Sequence, residues 1–270
     1  MRGLYPTHEG GKRHLIRKAC AVSGVVFFLA AAQVCSAGDS LDSIRRVCQK
    51  AFWEVQPGAS VTTPEILAPN KLLVAWSVAT WHQAPDVFRS AVIIRDERTR
   101  TLQTILRTQT DDAGKIVGPN PKAWGNADQF CVIDWSRDSR HLLIQEVVGP
   151  MESDNTALYV WVYDLHTKRR SVIPVSALHR AITGHWTRKG ANFRDVAYVL
   201  YADGWEDSEA PRPAFIAKVF EGSPTNFPSG FDGFLGVWSV SLSGAAPKLV
   251  TDDRNLNVVR RYGQVQSKQP

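Results

Sequence analysis

The chain has 270 residues, 44% of them hydrophobic and 21% charged, with a formal net charge of +6 at pH 7. Length and apolar content suffice for one domain with a proper core, or for one repeat array. The basic excess lies largely in the first 37 residues: without their five Lys or Arg and one Glu, 27 bases face 25 acids, which argues against nucleic acid as a partner.

Those first residues read as an address label. Arg2, Lys12, Arg13, Arg17 and Lys18 precede an apolar run from Ala19 to Ala32, and Cys35-Ser36-Ala37 places small residues where a signal peptidase reads. The pattern predicts a secretory signal peptide over 1–37 and a periplasmic or secreted protein. The run is short for a membrane span, so no stable span is expected after cleavage, and an uncleaved anchor is the alternative. Gln33-Val34 before Cys35 does not resemble a lipobox. Of four cysteines, Cys48 and Cys131 remain after cleavage. An even remainder in an oxidising compartment suggests one disulfide between them, with two separate buried thiols as the alternative.

Asp39 or Ser40 can cap a short N-terminal helix whose apolar stripe is Leu41, Ile44, Val47, Cys48, Ala51 and Phe52, ended by Pro57-Gly58. From there the chain reads as β structure. Strands are expected at 71–76 and 91–95, separated by a loop with Trp81, His82 and Pro85. The Gly-, Pro-, Asn- and Asp-rich stretch from Asp111 to Asn126 is a loop. A central stretch from Asp134 to Leu165 holds a polar turn, a strand at 141–144 and a second strand at 159–165. The second strand is apolar or aromatic at consecutive positions, so both of its faces want burial. Pro174 to Gly184 reads as a short helix or turn stopped by Gly184, and further strands are expected at 196–201, 214–220 and 235–242. Leu142, Leu143, Val160, Val162, Val92, Ile94, Val199 and Val237 are the expected core.

Internal repetition is the strongest signal. Val92-Ile93-Ile94-Arg95-Asp96-Glu97-Arg98-Thr99 aligns without gaps on Val160-Trp161-Val162-Tyr163-Asp164-Leu165-His166-Thr167. Val237 to Gly244 falls on the same frame, with Ser241 in the aspartate position. Asp96 and Asp164 should therefore each close an Asx-turn after a strand, Ser241 more weakly with Gly244 behind it. Trp135-Ser136-Arg137-Asp138 finds a further match in Trp186-Thr187-Arg188-Lys189.

Trp135-Ser136-Arg137-Asp138-Ser139-Arg140-His141-Leu142-Leu143, followed by Tyr159-Val160-Trp161-Val162-Tyr163-Asp164-Leu165, resembles a blade of the TolB-like, WD-type β-propellers. Arg137 stands where that family has proline, and Ser139 and Lys168 where it has glycine. The resemblance implies an all-β, propeller-like array of antiparallel blades, with units near 71–106, 134–173 and 186–250 of a single domain over 38–270. The spacings of 68 residues (Asp96 to Asp164) and 77 residues (Asp164 to Ser241) exceed the roughly 40–45 of a blade, which points either to a small propeller with degenerate extra blades or to blade-like sheets stacked without full closure. A β-sandwich is the alternative.

Compact catalytic motifs are absent from the sequence: it has no Gly-x-Ser-x-Gly, no His-Glu-x-x-His, no phosphate loop and no dinucleotide fingerprint. The histidines His82, His141, His166, His179 and His185 lack metal-ligand spacing, and Asp203, Glu206, Asp207 and Glu209 read as a solvated loop in preference to a calcium site. No cofactor is implied. Between Asp203 and Gly236, Trp205, Phe227, Phe231 and Phe234 sit among Gly, Pro, Ser and Asp, and Trp81 and Trp124 lie in other long loops. These aromatics are the candidate binding residues on a shared rim, or else a lid folded back over the core. Because TolB-like blades serve mostly as interaction platforms, the resemblance implies a non-catalytic binding or scaffold protein whose partner is an envelope protein or glycan. The alternative is a hydrolase-type enzyme with a pocket assembled from several blades.

Overall fold

The computed structural model describes residues 58–83, 86–112, 115–117, 124–150, 157–193, 196–219, 227, 230–254 and 256–266. They are predominantly β with one α-helix, as an all-β chain requires. The first unit holds β1 (Ser60–Thr62), β2 (Glu65–Leu67), β3 (Leu73–Gln83), β4 (Asp86–Asp96) and β5 (Leu102–Arg107). A small ribbon of β6 (Ile116–Val117) and β7 (Trp124–Gly125) leads to the second unit: β8 (Ala127–Trp135), β9 (His141–Gly149), β10 (Ala157–Asp164) and β11 (Arg169–Val172). Helix α1 (Val175–Arg188) precedes the third: β12 (Tyr198–Glu206), β13 (Pro213–Val219), β14 (Phe234–Ser239) and β15 (Lys248–Thr251). Two short strands, β16 (Val259–Arg260) and β17 (Gln264–Gln266), close the described chain.

Each unit is a four-stranded antiparallel meander, β2 to β5, β8 to β11 and β12 to β15. The first two join into one sheet through a single parallel bridge, Phe88 to Ala127. The third is a separate sheet. The expected N-terminal helix and the leader lie outside the described residues.

Local turn chemistry explains why the units recur. The Asp96 carboxylate accepts from the N–H groups of Arg98 (2.8 Å) and Thr99 (3.0 Å). Asp164 accepts from His166 (2.8 Å) and Thr167 (3.1 Å) in the same way. Ser241 accepts one such bond, from Ser243 at 3.2 Å. The preceding turn recurs too, at a place the sequence match missed. Ala68 N–H donates to Leu73 and Lys71 to Ala68, as Ser136 does to His141 and Ser139 to Ser136. Asn70 and Asp138 each accept from the amide two positions on. Lys71 and Ser139 both have positive φ, 61° and 60°, the left-handed backbone that favours glycine.

Trp186-Thr187-Arg188 is no such turn. It ends α1, which continues through Gly184 because Leu178, Ile182 and Trp186 pack one face of the helix into the core while a single helical glycine costs merely about 1 kcal/mol. Trp186 instead buries its ring and donates Nε1–H to Leu235 O at 3.0 Å.

The second unit is the central layer. Leu143, Val160 and Val162 face α1 and the third sheet in one cluster with Leu178, Ile182, Trp186, Phe215 and Trp238. Leu142, Ile144 and Tyr163 face the first unit, with Ile66, Ala75, Val92 and Ile94. The double-sided apolar pattern of β10 is thereby satisfied on both faces. All the expected core residues are buried except Val199, which is only partly covered. In β12 the inward set is Leu200 and Ala202, the opposite parity.

Candidate functional site

The chain after β15 runs from the third sheet back to the first. Arg260 and Val259 pair with Trp205 and Glu206 of β12, and β17 pairs with β2. Between them the strap passes the end of β8. There Asp134, 1% exposed, accepts from Tyr262 N–H (2.9 Å) and Gly263 N–H (2.8 Å). Burial pushes the Asp134 carboxyl up to about 7, against the opposing pull of those two amides, the Trp135 amide and Arg261. Glycine is required at 263: an added Cβ would lie 2.4 Å from Ile66 Cγ2 and 2.9 Å from Asp134 Oδ1. Arg261 donates to Asp203 O (2.8 Å) and Oδ1 (2.7 Å), and Arg260 to Asp207 (2.9 Å). Asp203 and Glu206 are thus buried, Glu206 salt-bridged to Lys248 at 3.0 Å, which corrects the solvated acidic loop expected from their spacing.

Beside the strap an open cleft of about 340 Å³ lies between the first turn of the second unit and that of the third. Ser136, Arg137 and Asp138 form one wall, Glu206, Glu209 and Pro211 the other, and Tyr262 of the strap borders both. Asp138 is committed to Ser136 Oγ and the Arg140 amide. Arg137, Glu209 and the Tyr262 phenol have no hydrogen-bond partner among the described residues. Such a cleft offers a cation, an anion and a phenol to a polar ligand. Spacing alone could not reveal it, because its walls come from residues about 70 and 125 positions apart along the chain.

The aromatic candidates are placed differently. Trp205 belongs to β12 and Phe234 to β14, both buried, so neither stands on a loop, although Trp205 does border the cleft. Phe227 and Phe231 stack at 4.0 Å between ring centroids, and Trp186 meets them edge-on at 6.0 and 5.1 Å. They pack half-buried against the cluster under α1, which is the lid arrangement. Trp81 lies in β3, packed on Ala79, Phe88 and Ala127. Trp124 lies in β7. The structure therefore brings Phe227 and Phe231 together and leaves Trp81, Trp124, Trp205 and Phe234 in their separate strands. Cys131 is buried in β8, while Cys48 lies outside the described residues.

Two other carboxyls, Asp128 on β8 and Glu146 on β9, are sealed at 1% and 4% exposure. No protein-family model matches the chain, and no curated protein matches it.

Proposed function

We propose that the chain is an exported, non-catalytic binding protein, its three meanders the blades of an incomplete propeller, and that it takes its partner in the cleft beside the C-terminal strap. The observation that carries this reading is the convergence of Arg137, Glu209 and Tyr262, whose side chains make no hydrogen bond among the described residues, on an open cleft between two units. The loop aromatics are the weaker candidate surface, since Phe227 and Phe231 spend their faces on each other and on Trp186. The acid pair best suited to proton-transfer chemistry, Asp128 and Glu146, is shut away from any substrate.

The partner is an envelope protein or an envelope glycan. The test is capture from envelope extract with residues 38–270 as bait, alongside Arg137→Ala/Glu209→Ala. Retention by the wild-type chain and a loss of about tenfold in the double variant is expected, as for removal of a polar anchor. Equal capture by both proteins would refute the cleft as the site.

A further inference from the structure

The seam between the first and second units is unusual in what fills it. Backbone N–H groups on the seam side of β8 find hydroxyls instead of a paired strand: Phe130 donates to Ser90 Oγ (2.8 Å) and Val132 to Ser77 Oγ (3.1 Å). Asp128 is next in that alternating series. Phe130 is the cross-strand partner of Glu146, so Asp128 and Glu146 are diagonal neighbours on one sheet face. The diagonal continues across the unit. Glu146 accepts from Trp161 Nε1 on β10 at 2.6 Å, and the Arg170 guanidinium on β11 lies 5.5 Å from the Trp161 ring centroid. From the first unit the Thr108 hydroxyl lies near Asp128 but donates to Ser90 O at 3.2 Å, and Asp128 Oδ1 is buried without a hydrogen-bond partner among the described residues. Arg170 is the one cation acting on the pair among the described residues, and it sits at the exposed edge.

We propose that Asp128 and Glu146 share a single proton and act as a pH-sensitive lock on the seam between the first and second units. With the proton present, the O–H of one carboxyl donates to the other, and one negative charge remains for Trp161 and Arg170 to balance. When hydroxide or buffer base removes that proton, two buried carboxylates face each other with one distant cation between them. Separation or hydration of the pair then becomes favourable, and the strand beside it carries the Phe130 and Val132 amides. Burial and the neighbouring carboxyl raise Asp128 well above the ordinary carboxylate range, and burial raises Glu146. A raised folded-state value places the stabilisation at low pH and its loss on the alkaline side. Asp134, at the far end of β8, titrates separately and is read through its own amides, Tyr262 and Gly263.

Hydrogen exchange at the Phe130 and Val132 amides, corrected for intrinsic rates, tests the lock at about pH 6 and about pH 9 in residues 38–270 with Asp134→Asn as the common background, wild type otherwise, because Asp134 is also raised into that range. In this background chain, protection should fall about tenfold between the two, the equivalent of roughly one pKa unit of linked free energy. In Asp128→Asn, whose amide replaces the shared O–H as donor, the fall should shrink to within about twofold. Glu146→Gln supplies the same donor from the other side and gives the same answer should Asp128→Asn fail to fold. Unchanged protection in the background chain, or an equal alkaline loss in the variants, would overturn the proposal.

Discussion

The first and second units are the same object built twice, while the third keeps the strand order and changes the connections. Residues 68 apart play equal parts in the first two: Ala68 and Ser136, Asn70 and Asp138, Lys71 and Ser139, Asp96 and Asp164, Arg100 and Lys168. Leu67 pairs with Val74 as Trp135 pairs with Leu142, so even the register is shared. In the third unit the first turn lengthens and is closed by Glu206 N–H to Arg212 O, and the connection from β14 to β15 also lengthens, although the turn that opens it is tighter, with positive φ on Gly244, three positions after Ser241 instead of four. Short turns conserve their chemistry because a few hydrogen bonds define them. The third unit is instead held by α1 on one side and the strap on the other.

The largest effect that bears on this contrast is the expected Cys48–Cys131 disulfide, which would anchor the segment before the first unit to the second. Closing 83 positions should contribute roughly 4–5 kcal/mol in the entropic account. Intact mass before and after reduction, with the unfolding midpoint of Cys131→Ser, checks it, and two free thiols would remove it. Next comes Asp134. Its carboxyl moves from an ordinary 3.8 to about 7 in the folded chain, so protonation favours the native state. Stability should decline as pH rises from about 4 to about 7, by on the order of 4 kcal/mol, and Asp134→Asn should flatten that slope in urea unfolding.

Smaller effects separate the turns themselves. Asp164→Ala should cost about 1 kcal/mol at neutral pH for the lost amide bonds, and Ser241→Ala clearly less. Burial would lift the Asp164 carboxyl, but the Thr167 and His166 amides with Arg140 hold it at about 2, so its share is present at neutral pH and lost in acid below about pH 4. Parallel chemical denaturation of the two variants decides the order, and equal losses would break the distinction between the units. Lys168, at φ 55°, should gain about 0.5–1 kcal/mol on replacement by glycine, read as a rise in thermal midpoint.

Much of this architecture was legible where the determinants are local. The Asx-turns followed from Asp and Thr at fixed offsets, and the central layer from the unbroken apolar run of β10. The register of β12 was misread because Val199 and Leu200 are equally apolar, so only the neighbouring sheet decides which faces inward. Trp186 was misplaced because Trp-Thr-Arg imitates a turn motif, while the helical run Leu178, Ile182, Trp186 is what packing selects. The cleft, the strap and the paired acids escaped because each depends on residues far apart in the chain. The nearest available hint was Asp128 and Asp134 bracketing a largely apolar strand, since buried charges need a purpose.

The central structural claim is that the strap joins the first and third units across the end of the second, and Gly263 tests it most directly. Gly263→Ala places a methyl against Ile66 and Asp134, so the account predicts a loss of about 1–3 kcal/mol in urea unfolding, with the amides at positions 262 and 263 exchanging faster. Gly184→Ala in α1, where the added carbon meets only Arg188 Nη1 at 3.6 Å, serves as the control and should be neutral or slightly stabilising. Unchanged stability and unchanged exchange in Gly263→Ala would contradict the claim.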